Sequence, residues 1–419
     1  MNIQHAITFV RTKGLRGVFG YVRSLSARRA DLKKFEKLLI TDSDWKPQPG
    51  ITVVGDLSDE FSLSKTLRDF VTRLRECGIP CQAYDIGGWC PTPKSEYEHL
   101  LTPSAEFRLN RYTDIVGMFR LPRFPMIPCR LSRIGFWEFE TGLMENNTTF
   151  YEPMEVVAMS DFNKDVFRRL VPSSTPVSKI LYPFFFTPGR RIAADAVRSR
   201  YGIGLDDFVV FYNFSYLSSY YRKNPEGALR AFAEALGNRE DAKIVFKTKG
   251  AAKCPIYAAK LRALAESLGL SRRVVFIDDY LLQDEIVALT EACDVYLSLH
   301  RGEGFGIGIA EAMSLGKPVV VSNYSAPTEF CKDGCTMLVP VKMVPVKKCE
   351  IDIKDYAHVK EWAEPDVHVA AAALSKLYDD RGFAKELGEK GKRFIADYFS
   401  DSNFKKSVHE FLARSENVK

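Results

Sequence analysis

The stretch Ser298–Met313, SLHRGEGFGIGIAEAM, decides the fold. It follows an apolar run, DVYLSLH (294–300), that reads as a strand. It then passes through a glycine-rich turn and continues as a helix, with Glu303 before the last turn glycines and Glu311 eight residues later. A strand that ends in glycines and opens a helix is the phosphate-receiving unit of an open parallel sheet. Glycine lets main-chain N–H groups approach a ligand closely, and the helix offers its positive end. A glutamate in such a turn repels phosphate, so its natural partner is a pair of sugar hydroxyls, which a carboxylate accepts together. Eight residues of helix would rise about 12 Å. That suits a nucleotide sugar, with Glu303 on the transferred sugar, the glycines at the diphosphate and Glu311 on the ribose. Spacing alone leaves a second reading open, in which Glu311 is a solvated helix residue.

Working outward, the same strand–helix alternation covers most of the chain. ITVVGD (51–56), PCQAYDI (80–86), DIVGMF (114–119), RIGFWEF (133–139), EVVAMS (155–160) and SKILYP (178–183) read as strands, with SLSKTLRDFVTRLRECG (62–78) an amphipathic helix. Residues 185–207 carry Pro, Gly and charge and predict no strand, which places a junction there. The pattern restarts at FVVFYNF (208–214), a helix from Pro225 to about Leu236, AKIVFKT (242–248), RVVFIDD (273–279), KPVVVS (317–322) and TMLVPV (336–341). Apolar strands alternating with helices predict a parallel sheet covered on both faces. The expected class is therefore α/β, with two Rossmann-like doubly wound domains facing each other across a cleft, and residues 366–414 as three closing helices. The expected divisions are a basic extension (1–49), an N-terminal domain (50–190), a C-terminal domain (205–385) and helices 386–419 that return toward the first domain.

With 419 residues the chain suits two domains rather than one core. No apolar run reaches the roughly 18 residues that span a bilayer, and the start lacks the apolar core and cleavage site of a secretory signal. Nine cysteines without the partners of a zinc site read as thiols in a reducing cytoplasm. Residues 1–40 hold nine Lys/Arg against Asp31 and Glu36, more than the whole net charge of +6. Apolar residues interleave with them, so this segment either lies in the headgroups of an anionic membrane or packs as a solvated extension. No recognition fold points to nucleic acid.

The run SLHRGEGFGIGIAEAMSLGKPVVVSNYS resembles the signature of glycosyltransferase family 4, retaining enzymes of the GT-B fold, with two glutamates separated by seven residues. GITVVGDLSDEFSLSKTLRDFVTRLRECGIP, RIGFWEFE, SYYRKNPEGALRAF and EWAEPDV (361–367) resemble bacterial members that build surface polysaccharides. The resemblance covers residues 50–415. It implies that Glu303 contacts the donor sugar, that Glu311 holds the ribose, and that the amides of Gly304, Phe305 and Gly306 face the sugar or phosphates. It implies Arg222 and Lys223 as the basic pair that neutralises the leaving diphosphate, with Lys223 favoured. Lys247 and Lys249 in FKTKG end a strand on the ligand side, where one of them is expected at the base or phosphate. Asp56 and Ser58, after the first strand, are expected on the acceptor side. Glycines of relatives are replaced here by Ser62 and Ser64. Where many relatives carry a histidine, this chain has Trp137 and Glu138, with Trp137 either on a sugar ring or in the core.

The function so implied is transfer of a hexose from a nucleoside diphosphate sugar to a glycan or lipid-linked acceptor. No cofactor or metal is expected, and the expected setting is cytoplasmic, peripheral on the inner face of the cell membrane. Two rivals stand beside it: a nucleotide-sugar epimerase or hydrolase on the same fold, and a non-catalytic scaffold of a polysaccharide-assembly complex.

Overall fold

The computed structural model describes residues 37–38, 40, 48–58, 62–86, 93–109, 111–117, 132–135, 155–184, 186, 192–279, 281–350, 352 and 359–416. Residues 1–36 of the basic extension, Trp137 and Glu138 lie outside those residues.

Six short strands form the first sheet: β1 (Ile51–Gly55), β2 (Cys81–Asp85), β3 (Thr113–Gly117), β4 (Ser132–Gly135), β5 (Val156–Ala158) and β6 (Val177–Lys179). They lie in the order β2-β1-β3-β4-β5-β6, and every pairing is parallel. All of β1 is buried, as expected of a strand covered on both faces. Helix α1 (Ser62–Glu76) covers it with Leu67, Phe70, Val71 and Leu74, which recur at helical spacing and are fully buried. Helix α2 (Asp161–Leu170) starts where the Ser160 hydroxyl accepts the Asn163 amide at 3.0 Å.

Residues 185–207 form no strand among those described, and they contain α3 (Ala194–Arg200). The second sheet comprises β7 (Phe208–Ser215), β8 (Ala242–Lys249), β9 (Val274–Ile277), β10 (Val295–Ser298), β11 (Val319–Ser322) and β12 (Met337–Val339). Its order is β12-β11-β10-β7-β8-β9, again all parallel. The chain winds outward from β7 to β9, then returns to lay β10 on the other side of β7. That reversal opens a crevice beyond the carboxyl ends of β7 and β10, where doubly wound sheets take their ligands. The helices here are α4 (Tyr220–Lys223), α5 (Pro225–Leu236), α6 (Pro255–Ser267), α7 (Gln283–Ala292) and α8 (Ile307–Ser314).

An antiparallel hairpin, β13 (Val341–Pro345) with β14 (Glu361–Pro365), follows the second sheet. Three helices close the chain: α9 (Val367–Asp379), α10 (Arg381–Tyr398) and α11 (Asp401–Glu416). Helix α10 runs unbroken through the expected division at 385/386 and packs on α8 of the second half. The return to the first half is made by residues 399–416: Phe404 packs edge-on against Phe70 at 5.9 Å, and Leu181 N–H donates to Ser407 Oγ at 2.6 Å. Arg73 of α1 fastens this return, donating to the carbonyls of Phe184 and Phe399 and reaching Asp401 at 3.2 Å.

Candidate active site

Two loops meet at the reversal point of the second sheet. The first leaves β7 and carries the helical turn α4. Ser219 and Asn224, which flank it, both adopt left-handed φ (72° and 50°) although neither is glycine. Such strain clusters at functional sites and persists only when the surroundings hold it. Here Asn224 Nδ2 donates to Leu299 O at 3.0 Å while its Oδ1 accepts the Gly227 amide at 3.1 Å, tying α4 and α5 to the end of β10.

The second loop is the glycine turn after β10. Gly306, with φ 93°, precedes α8. Gly308 is required for a different reason: a β-carbon there would collide with the Tyr296 hydroxyl. Among the described residues, none accepts a hydrogen bond from the amides of Gly304, Phe305 or Gly306. These donors lead into the first turn of α8, the end of a helix that carries partial positive charge.

Glu303 is buried between the two loops. Its Oε1 accepts from the Lys223 ammonium, and Arg222 Nη1 stands 3.5 Å from Oε2. Burial alone would push its carboxyl up, but Lys223, Arg222 and His300 outweigh that and hold it well below the usual carboxylate range. Main-chain bonds fix its position: its N–H donates to Ser325 Oγ at 2.9 Å, and its carbonyl accepts from Ala326 N–H at 3.3 Å. Arg222 is only 1% exposed and donates to Ser218 O at 2.7 Å and Gly302 O at 2.8 Å. Its guanidinium therefore binds both loops as well as facing Glu303.

Glu311, on α8, is buried too, and Gln283 Nε2 donates to it at 2.8 Å. Burial pushes its carboxyl up to about 7, against the pull of Lys65 in α1. The solvated alternative for Glu311 is thus set aside. Only residues from 307 on are helical, so the separation of the two acids is set by a folded turn rather than by a straight rise. Both acids are buried, Glu303 ahead of the glycine turn and Glu311 in the helix that follows it.

Lys247, near the end of β8, is buried and donates to Thr248 O at 2.7 Å, and burial lowers its pKa. Ser58 is buried after β1, where its N–H donates to Asp85 Oδ1 at 3.1 Å; Asp56 is half-buried beside it. His300 is fully buried: its Nε2–H donates to Tyr324 O at 3.2 Å, and its Nδ1 takes the Ser298 hydroxyl at 3.1 Å. Burial drops its pKa to about 4, so it stays neutral and structural at pH 7.

Several contributors had no sequence signal. The first half grips the glycine turn directly: Asn163 Nδ2 donates to Gly304 O at 3.2 Å, and Phe305 stacks on Tyr182 with centroids 3.5 Å apart. Beside them Glu329 takes Lys179 at 3.0 Å and the Tyr398 hydroxyl at 3.0 Å. These pairs lie more than 60 residues apart in the chain, where only the fold can bring them together.

Two Rossmann-like parallel sheets, with a glycine turn at the reversal point of the second, are the GT-B architecture. Residues 210–344 match the family described as Glycosyl transferases group 1. The chain is similar to the alpha-1,3/1,6-mannosyltransferase ALG2 of Dictyostelium discoideum, 28% identical over 156 residues, which are 37% of this chain and 31% of that one. It is also similar to the D-inositol 3-phosphate glycosyltransferase of Corynebacterium diphtheriae, 32% identical over 214 residues, 51% of this chain and 44% of that one. The chain thus spans less than half the length of these relatives. Among solved structures, Anabaena HepE in complex with UDP-glucose superposes with a TM-score of 0.56, covering 88% of this chain and all of that one. At 14% identity that likeness speaks for the fold.

Proposed function

We propose that the chain is a retaining glycosyltransferase that moves a hexose from a nucleoside diphosphate sugar to a glycan or lipid-linked glycan in surface-polysaccharide synthesis. One observation carries the reading: Glu303 and Glu311 are both buried, one before and one after the same glycine turn, with Lys223 paired to Glu303. In this reading the glycine turn takes the diphosphate, Glu303 the hydroxyls of the departing hexose and Glu311 the ribose. The bond from the anomeric carbon to the phosphate oxygen breaks, and its electron pair goes to the diphosphate. The acceptor oxygen attacks from the same face, and its proton passes to that phosphate oxygen. Lys223 and Arg222 stabilise the charge that grows on the leaving group, where fixed cations contribute most, so the reading needs no divalent metal.

The same reading assigns the remaining roles. Asp56 and Ser58 face the acceptor side of the cleft, Lys247 lies toward the base, and the basic residues 1–40 hold the enzyme at an anionic inner membrane face. Among the described residues, no helix is long and apolar enough to cross a membrane.

Thermal stabilisation by UDP, GDP, dTDP and their hexose conjugates tests the reading, since a ligand that binds the native state alone raises stability with affinity. The relative named a mannosyltransferase and the neighbour holding UDP-glucose make GDP-mannose and UDP-glucose the first conjugates to try. One series is expected to raise the melting temperature, and product masses to show hexose added to acceptor. Hydrolysis or epimerisation alone, or no stabilisation by any nucleotide, overturns the proposal.

A further inference from the structure

The hairpin β13–β14 belongs to neither sheet, yet it touches the turn that carries Lys223 through two carboxylates. Asp352 lies in the connection between the two hairpin strands. Its Oδ1 accepts the Ser219 hydroxyl at 2.6 Å, and its Oδ2 accepts the Tyr220 amide at 2.6 Å. Glu364, in β14, pairs with Arg301 Nε at 2.5 Å. Arg301 in turn donates through Nη1 to Tyr221 O at 2.8 Å, and its own amide donates to Arg222 O at 2.8 Å. The four residues of α4 are therefore held at the start by Asp352 and through the middle by Glu364 acting through Arg301.

That grip has a reason. A four-residue helical turn has almost no stability of its own, and this one is entered through a serine at φ 72°. Such a residue needs outside hydrogen bonds to stay in place. A carboxylate at the first amide also favours the helical turn. Lys223 ends the turn and reaches Glu303 with a long, rotamer-rich side chain. A small rotation of α4 would move its ammonium by more than a hydrogen bond tolerates.

We propose that Asp352 and Glu364 are positioning residues of the donor site, which hold α4 so that Lys223 meets Glu303. The inference rests on the proposed transferase reading for its catalytic consequence, but not for its geometry. Asp352→Asn is the discriminating change. Asparagine keeps one oxygen for the Ser219 hydroxyl but turns an NH2 group toward the Tyr220 N–H, so donor faces donor. Glu364→Gln is the independent second variant.

The direct readout is the titration of the Glu303 carboxyl, followed by carbon NMR in the full chain labelled at glutamate carboxyls and assigned with Glu303→Gln. Glu303 is faced by Lys223 and Arg222 from α4, His300 after β10, and Tyr212 and Tyr296 from the sheet beneath. Neither variant alters any of these groups, so a changed titration reports displaced cations. Both variants are expected to shift the Glu303 titration to higher pH. With the donor that stabilises the protein, kcat should fall by about tenfold with a smaller change in KM, as for a group misplaced in the transition state.

An unmoved Glu303 titration in both variants overturns the proposal, even if their melting temperatures fall. A shifted titration in a protein whose parent transfers no sugar keeps the positioning role and overturns the transferase reading instead. A shifted titration with unchanged kcat overturns the positioning role in catalysis.

Discussion

Lys223 reaches the Glu303 carboxylate across 80 residues of sequence, with Arg222 Nη1 3.5 Å from the second oxygen of the same group. One buried acid thus has two cations, and the three act as a unit. Lys223→Ala leaves Glu303 with Arg222 alone and removes the more exposed of the two charges. Loss of an electrostatic donor of this kind costs roughly 10²–10³ in kcat. We expect Lys223→Ala and Glu303→Ala each to lose at least that much while the far-ultraviolet circular dichroism stays unchanged; steady-state kinetics with the stabilising donor checks it.

Glu311 gives a pH prediction. Its folded pKa, about 7, lies above the ordinary carboxyl value. The folded chain therefore binds the extra proton more tightly than the unfolded chain. The stabilisation is complete at acid pH and is lost as pH rises from about 4.5 through 7. Glu311→Gln removes the titration, so its melting temperature relative to the parent should climb from pH 5 to pH 8. A constant offset across that range contradicts the burial argument.

Arg73 predicts a large stability loss. It is 2% exposed and donates to two main-chain carbonyls that join α1 to the segments at Phe184 and Phe399. Arg73→Met fills similar space but leaves both carbonyls without that donor, at a cost of about 1–3 kcal/mol each. Urea unfolding should show a total of about 3 kcal/mol or more. A change below about 1 kcal/mol would mean that water replaces the guanidinium.

Gly308 is set by a neighbour rather than by φ. Gly308→Ala drives a methyl group into the Tyr296 hydroxyl and should destabilise by about 1–3 kcal/mol, as overpacking does. Tyr296→Phe removes the obstacle, so the double variant should recover most of the loss. Additive losses in a double-mutant cycle would show that the collision is relieved elsewhere.

Much of the fold could be read from the chain because parallel strands buried on both faces are written as short apolar runs. FVVFYNF and AKIVFKT are examples, and both appear as β7 and β8 within a residue. The hairpin was hidden because Val341–Pro345 is partly exposed and its partner lies 15 residues further on. Helix α3 was hidden in a segment dominated by Pro, Gly and charge. At the site, Glu303, Glu311 and Lys223 stood out by spacing and resemblance. Their mutual pairing did not, nor did Asn163, Tyr182, Asp352 or Glu364. These act through contacts between segments 63 to 141 residues apart, and no local pattern encodes such a contact. Arg222 is the instructive middle case: its presence was legible, but its use as a brace between two loops follows only from burial.

Phe305 lies between two glycines of the turn after β10, yet its ring is packed among Tyr182, Phe184, Phe330 and Phe399. Two of those partners, Tyr182 and Phe184, come from the strand end of the other half. A fragment beginning near residue 205 would lay this aromatic nest open to water and would be prone to self-association. The second half thus has its glycine turn moulded against the half opposite, so that loop owes its shape to its neighbour.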